Sequence, residues 1–102
     1  MSMLVKLCDK NLLPVGELKS LKIKDFEVLA VNLGDRFCCL SARCTHAGAP
    51  LAEGTLNRDV LTCPWHYSQF NIQSGEVVRG PAQKSLRVYL VEEKQNEIFI
   101  DL

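Results

Sequence analysis

The sequence predicts an all-β fold, a small antiparallel sandwich or barrel. Three observations predict it. Short runs of branched and apolar residues recur along the chain, turn-forming residues separate them, and no long stretch carries a helical period. With 102 residues, 47% of them hydrophobic, the chain can bury one core and has no room for a second domain. The same apolar fraction excludes wholesale disorder.

The elements follow in chain order. Met3 to Cys8 is a first apolar stretch. Pro14 followed by Val15-Gly16-Glu17-Leu18 hosts a helical turn at most. Phe26 to Leu33 (FEVLAVNL) reads as a strand, Gly34-Asp35-Arg36 turns the chain, and Phe37 to Ala42 returns as the second arm of a hairpin. Val60 to Cys63 and Gln69 to Gln73 are short strands, and after the Ser74-Gly75 turn Glu76 to Arg79 pairs back. Leu86 to Glu92 alternates, with Leu86, Val88 and Leu90 expected on one face. Lys94-Gln95-Asn96 turns, and Glu97 to Asp101 forms the last strand. The chain has no internal repeat, low-complexity tract or linker.

Charge and cysteine usage narrow the function. Twelve basic and 12 acidic side chains give a formal net charge of zero, which excludes a binder that works by neutralising nucleic-acid phosphates. No apolar run approaches the roughly 20 residues that span a bilayer. The start, Met1-Ser2-Met3-Leu4-Val5-Lys6, lacks the pattern of a secretory signal, so a cytoplasmic location is expected. In that reducing compartment the five cysteines are not expected to form structural disulfides. Cys8 reads as core. Of the adjacent Cys38 and Cys39, one is expected in the core and the other facing outward.

Two segments break the strand pattern: Arg43 to Pro50 (RCTHAGAP) and Cys63 to Tyr67 (CPWHY). Gly, Pro, Cys and His at this density build loops whose backbone approaches something closely. Cys44-Thr45-His46 and Cys63-Pro64-Trp65-His66 form C-x-H and C-x-x-H, separated by 16 residues, and these are the only two histidines of the chain. The pattern is that of a metal site. Two cysteines and two histidines also suit zinc, but zinc fingers place both cysteines in one arm and both histidines in the other. Here each arm supplies one of each. That division suits two metal ions side by side, thiolates on one and imidazoles on the other, which is the ligand allocation of a Rieske [2Fe–2S] centre.

From Phe26 to Ile100 the chain resembles the Rieske iron–sulfur family. Both arms match, as do Gly48, Glu53-Gly54, Phe70, Ser74-Gly75 and the Gly80-Pro81 loop. The resemblance implies one [2Fe–2S] cluster in a single domain spanning 1–102, held by a cluster-binding loop subdomain at about 43–81. Cys44 and Cys63 would bind one iron through sulfur. His46 and His66 would bind the other, leaving their outer imidazole edges near the surface. Gly48 and Pro81 would lie in loops that cover the cluster. Two ferric ions, two sulfides and two thiolates sum to zero charge, so such a cluster accepts an electron more readily than an all-cysteine one.

High-potential respiratory members of the family carry two further cysteines that tie the cluster loops together. Ala49 and Trp65 occupy the corresponding positions here. Those members also place a serine and a tyrosine as hydrogen-bond donors toward the cluster; Ser68 is present, whereas Phe70 stands in the tyrosine position and cannot donate. The respiratory proteins have a membrane anchor as well. The chain is therefore similar to soluble, low-potential Rieske-type ferredoxins, in the lower half of a range of about −150 to +300 mV. Trp65 is expected to pack over the cluster loop, and Tyr67 to be a partly exposed loop residue. Arg43, Glu53, Arg58 and Asp59 have mixed signs and predict no single-sign docking patch.

The resemblance implies a monomeric one-electron carrier, not an enzyme, passing electrons from a reductase to an oxygenase or similar terminal enzyme. It implies no nucleic-acid or membrane partner. The alternative is a Rieske-like small subunit of a larger reductase, such as assimilatory nitrite reductase. A zinc-binding structural module is a third reading. No nucleophile motif, phosphate loop or nicotinamide fingerprint is present.

Overall fold

A computed structural model describes residues 3–102. Eleven strands occur among them: β1 (Leu4–Asp9), β2 (Leu18–Ile23), β3 (Phe26–Asn32), β4 (Phe37–Ser41), β5 (Thr55–Asn57), β6 (Val60–Thr62), β7 (Gln69–Asn71), β8 (Val77–Arg79), β9 (Val88–Tyr89), β10 (Val91–Lys94) and β11 (Glu97–Asp101). They form three antiparallel sheets, with strand orders β1-β11-β10, β2-β3-β4-β9 and β5-β6-β7-β8. The all-β class is as predicted. No helix among the described residues is long and apolar enough to cross a membrane.

The sheet β2-β3-β4-β9 is the middle layer, and its apolar sequence follows from that position. Leu29 and Val31 of β3, with Cys38 and Leu40 of β4, face a core shared with Leu61, Phe70 and Ile72. The intervening Val28 and Cys39 face Ile23, Tyr89 and Ile100, and Ala30 faces Cys8, Leu13 and Ile98. A strand covered on both sides needs no polar alternation, which is why β3 reads as an unbroken VLAV. It also corrects the expectation for the adjacent cysteines: neither faces outward. Cys38 and Cys39 point to opposite faces of β4, and a core lies on each. Cys8 is buried, as expected.

Other expectations are corrected in detail. Residues 14–18 form no helical turn; Glu17 donates to the Pro14 carbonyl in a turn, and Val15 bridges to Asn32. A single 3₁₀ turn precedes them at Lys10–Leu12. Strands β2 and β5 were not anticipated. Leu86, Val88 and Leu90 do not share a buried face: Leu86 is buried, whereas Val88 is 40% and Leu90 75% exposed, and Tyr89 turns inward. The chain changes sheet at Leu90, because β9 pairs with β4 and β10 pairs with β11. That crossing breaks the period of two.

The third sheet presents the loops that matter. The chain enters it from β4 through residues 42–54, and the β6–β7 hairpin ends in residues 63–68. Gly54 lies so close to the Thr62 carbonyl that a Cβ there would collide with it, which fastens the exit of the first loop to β6.

Candidate metal centre

The two arms are built alike. In the first, the Cys44 amide donates to the Ala49 carbonyl at 2.9 Å. In the second, the Cys63 amide donates to the Ser68 carbonyl at 2.8 Å. Each backbone bond spans five residues, so each loop starts at its cysteine and carries its histidine at the tip. The first loop is tightened by the Gly48 amide on the Cys44 carbonyl, at 2.9 Å, and Gly48 takes φ +74°. In the second, His66 and Tyr67 adopt φ +64° and +61°. Each left-handed non-glycine residue costs about 1–2 kcal/mol, and strain of this kind gathers where a loop must aim a side chain.

The cysteines and histidines separate by depth. Cys44 and Cys63 are buried, 4% and 0% exposed, while His46 and His66 are exposed. Burial pushes the Cys63 thiol above its ordinary proton affinity; a backbone hydrogen bond from Trp65 opposes this, and the neighbouring Cys44 thiol adds to it. The two imidazoles meet edge to face, with ring centroids 5.2 Å apart and an interplanar angle of 85°. The four residues singled out from the sequence are therefore paired by type, His46 with His66 and Cys44 with Cys63. Among the described residues, no three or more His, Cys, Asp or Glu side chains converge on a point suited to one metal ion. A closed tetrahedral zinc site needs four.

The spacing of the imidazole pair fits one metal ion held between the two rings. A metal about 2.0–2.1 Å from one nitrogen of each ring would lie roughly 3.2 Å from each centroid, so tetrahedral binding sets the centroids about 5.2 Å apart. The observed separation matches.

Residues 3–90 match the model of the Rieske [2Fe–2S] domain. The chain belongs to that family. A Rieske domain carries one [2Fe–2S] cluster, so the cofactor is an iron–sulfur group. Ferredoxin CarAc of Metapseudomonas resinovorans is 34% identical over 97 residues, covering 94% of this chain and 91% of that protein. The ferredoxin component of biphenyl 2,3-dioxygenase of Rhodococcus jostii (strain RHA1) is 30% identical over 99 residues, covering 97% and 92%. Among solved structures, the complex of reduced oxygenase and oxidized ferredoxin in carbazole 1,9a-dioxygenase contains a chain with TM-score 0.87 and 31% identity. That match covers 95% of this Rieske domain and 91% of the other chain.

Around the arms, Trp65 is 48% and Tyr67 72% exposed, beside His66. Phe70 is fully buried in the core that also holds Cys44 and Cys63. Ser68 is fully buried too, and its Oγ accepts the Ala82 N–H at 2.9 Å. Three contacts lay outside the sequence reading. Thr45 Oγ1 donates to the Lys84 carbonyl at 2.6 Å, and Arg43 donates to the Gly48 carbonyl at 3.3 Å and pairs with Glu27 at 3.0 Å. The one available signal was position: Thr45 lies between two candidate ligands, where a hydroxyl can fix the loop without binding metal.

Proposed function

We propose that this Rieske domain is a one-electron carrier of the dioxygenase type, taking an electron from a reductase and delivering it to an oxygenase or similar terminal enzyme. Cys44 and Cys63 hold one iron through sulfur, and His46 and His66 hold the other. The observation that carries the reading is the sorting of the donors by depth, with thiols buried at the loop bases and imidazoles exposed and touching at the tips. The cluster supplies a site that takes up and releases one electron. The buried cysteines keep water from the sulfur-bound iron. The exposed imidazoles would set the histidine-bound side of the cluster toward a docked partner. The ferredoxin names of the relatives support a carrier and not a catalyst.

Residues 43–81 are the cluster-holding part of this single domain. The cytoplasm is the compartment that suits it, since all five cysteines are free and buried. Anaerobic stopped-flow tests the function: the reduced protein is mixed with an oxidised Rieske oxygenase, and recovery of the oxidised spectrum is followed. A rate proportional to oxygenase concentration is expected. Electron delivery to a nitrite reductase, and none to the oxygenase, would replace the carrier with a reductase subunit.

A further inference from the structure

We infer that residues 82–84 form a polar crosslink between the two ligand arms, with Thr45 and Ser68 as its anchors. The inference rests on the reading that these arms hold the cluster. The first arm reaches the segment through Thr45, whose hydroxyl donates to the Lys84 carbonyl at 2.6 Å. The second reaches it through Ser68, whose hydroxyl accepts the Ala82 N–H at 2.9 Å. Both anchors are built into the arms. Thr45 separates Cys44 from His46, and the Ser68 carbonyl closes the second loop on the Cys63 amide.

No disulfide joins the arms, because the five cysteines form none, so apart from the cluster they would share, the arms are tied through hydrogen bonds. The other polar ties of the first arm lead elsewhere: Arg43 holds Gly48 within the same loop and Glu27 on β3. Thr45 and Ser68 thus reach opposite ends of one three-residue stretch. Ser68 and Ala82 are both buried, so losing the Ser68 hydroxyl strands an amide that water cannot solvate. Thr45 is exposed, yet its bond positions the loop beside His46, where Thr45, His46, Pro81, Gln83 and Lys84 line a recess of about 410 Å³.

A crosslink acts only while both ends hold. Releasing either end breaks the polar tie and leaves the shared cluster alone to hold the arms together, and releasing the second end adds little. Two merely local hydrogen bonds at separate sites would instead act independently. Thr45 and Ser68 are therefore positioning residues that act through the same segment.

The test uses the cluster-loaded, oxidised protein and the variants Thr45→Val, Thr45→Ser, Ser68→Ala and Thr45→Val/Ser68→Ala. Two quantities are measured: the rate at which EDTA bleaches the visible absorption, and hydrogen exchange at the Ala82 amide. Thr45→Val should bleach about ten-fold faster, equivalent to about 1.4 kcal/mol. Thr45→Ser should return the rate to that of the parent. The double variant should stay within about two-fold of the faster single variant, as expected for coupled sites. Thr45→Val should also speed exchange at Ala82, an amide that Thr45 does not touch. Unchanged bleaching in Thr45→Val, failure of Thr45→Ser to rescue, multiplying effects in the double variant, or unchanged Ala82 exchange would each overturn the crosslink. Should Ser68→Ala fail to fold, the Thr45 pair and the Ala82 amide decide alone. A preparation without iron and sulfide would defeat the cluster reading itself, while Ala82 exchange still judges the crosslink.

Discussion

His46 and His66, 20 positions apart on separate loops, bring their imidazole rings edge to face with centroids 5.2 Å apart. Both rings are exposed, whereas the cysteines that open the same loops are buried. The fold thus sorts four donors by chemistry: sulfur inside, nitrogen at the surface. A group bound across them would be insulated on one side and accessible on the other, the asymmetry a carrier needs.

Cysteine substitutions should divide cleanly. Cys44→Ser and Cys63→Ser are expected to abolish the visible absorption of the purified protein. Cys8→Ala, Cys38→Ala and Cys39→Ala should keep it, since those thiols lie on strands β1 and β4 and not on the two loops. Absorption spectra with iron and sulfide analysis check this; loss of colour in any of the latter three would add a ligand to the account.

Phe70→Tyr should raise the reduction potential. Phe70 shares a core with Cys44 and Cys63, so a new hydroxyl there is placed to donate to the sulfur of a proposed ligand. A hydrogen bond to a charged group contributes about 1.5–3 kcal/mol. At about 59 mV per 1.4 kcal/mol, that is on the order of 60–130 mV. Protein-film voltammetry measures it. An unchanged potential with a lower melting temperature would mean that the hydroxyl only crowds the core.

Cys39 should make the protein less stable in alkali. Burial is the largest cause pushing its thiol up from 9.0 to about 12. Below pH 9 both folded and unfolded chains keep the proton, and the thiol has no effect on the balance. Above it the unfolded thiol ionises while the folded one cannot, so stability falls until the folded group ionises near pH 12. The total is on the order of 4 kcal/mol. Melting temperatures between pH 8 and about 12 should fall less steeply in Cys39→Ala than in the parent. Parallel curves would remove Cys39 as a cause.

Two glycines should respond differently to alanine. Both need positive φ, +74° at Gly48 and +77° at Gly75. A Cβ on Gly48 meets nothing within 4 Å, so Gly48→Ala should cost only the backbone strain, about 1–2 kcal/mol. On Gly75 it would run into the Leu86 carbonyl and come within 2.9 Å of the Val88 side chain, adding about 1–3 kcal/mol. Thermal melts should rank Gly75→Ala well below Gly48→Ala; equal losses would place the cost in the backbone alone.

Much of the architecture was legible because hairpins announce themselves locally. The Gly34-Asp35-Arg36 turn and the closing strand at Glu97 to Asp101 are where the sequence places them. β2 escaped notice: Leu18, Leu21 and Ile23 are interleaved with Lys19, Ser20 and Lys22, a pattern too polar to stand out beside β3. The sheet change at Leu90 was illegible because β9 and β10 are set by distant partners, β4 and β11, and not by local period. The arms were legible from residue types and spacing alone. The segment that spans them was not, since Ala82 and Lys84 take part through backbone atoms that any residue carries.

On the proposed reading, two histidines and two cysteines divide between the two irons of one cluster. Pulsed electron–nuclear double resonance on the dithionite-reduced protein, with histidine labelled by ¹⁵N, tests it directly. Two strongly coupled histidine nitrogens are predicted, one lost in each of His46→Cys and His66→Cys. A reduced cluster with no histidine nitrogen coupling, or a colourless protein holding zinc without sulfide, would contradict it.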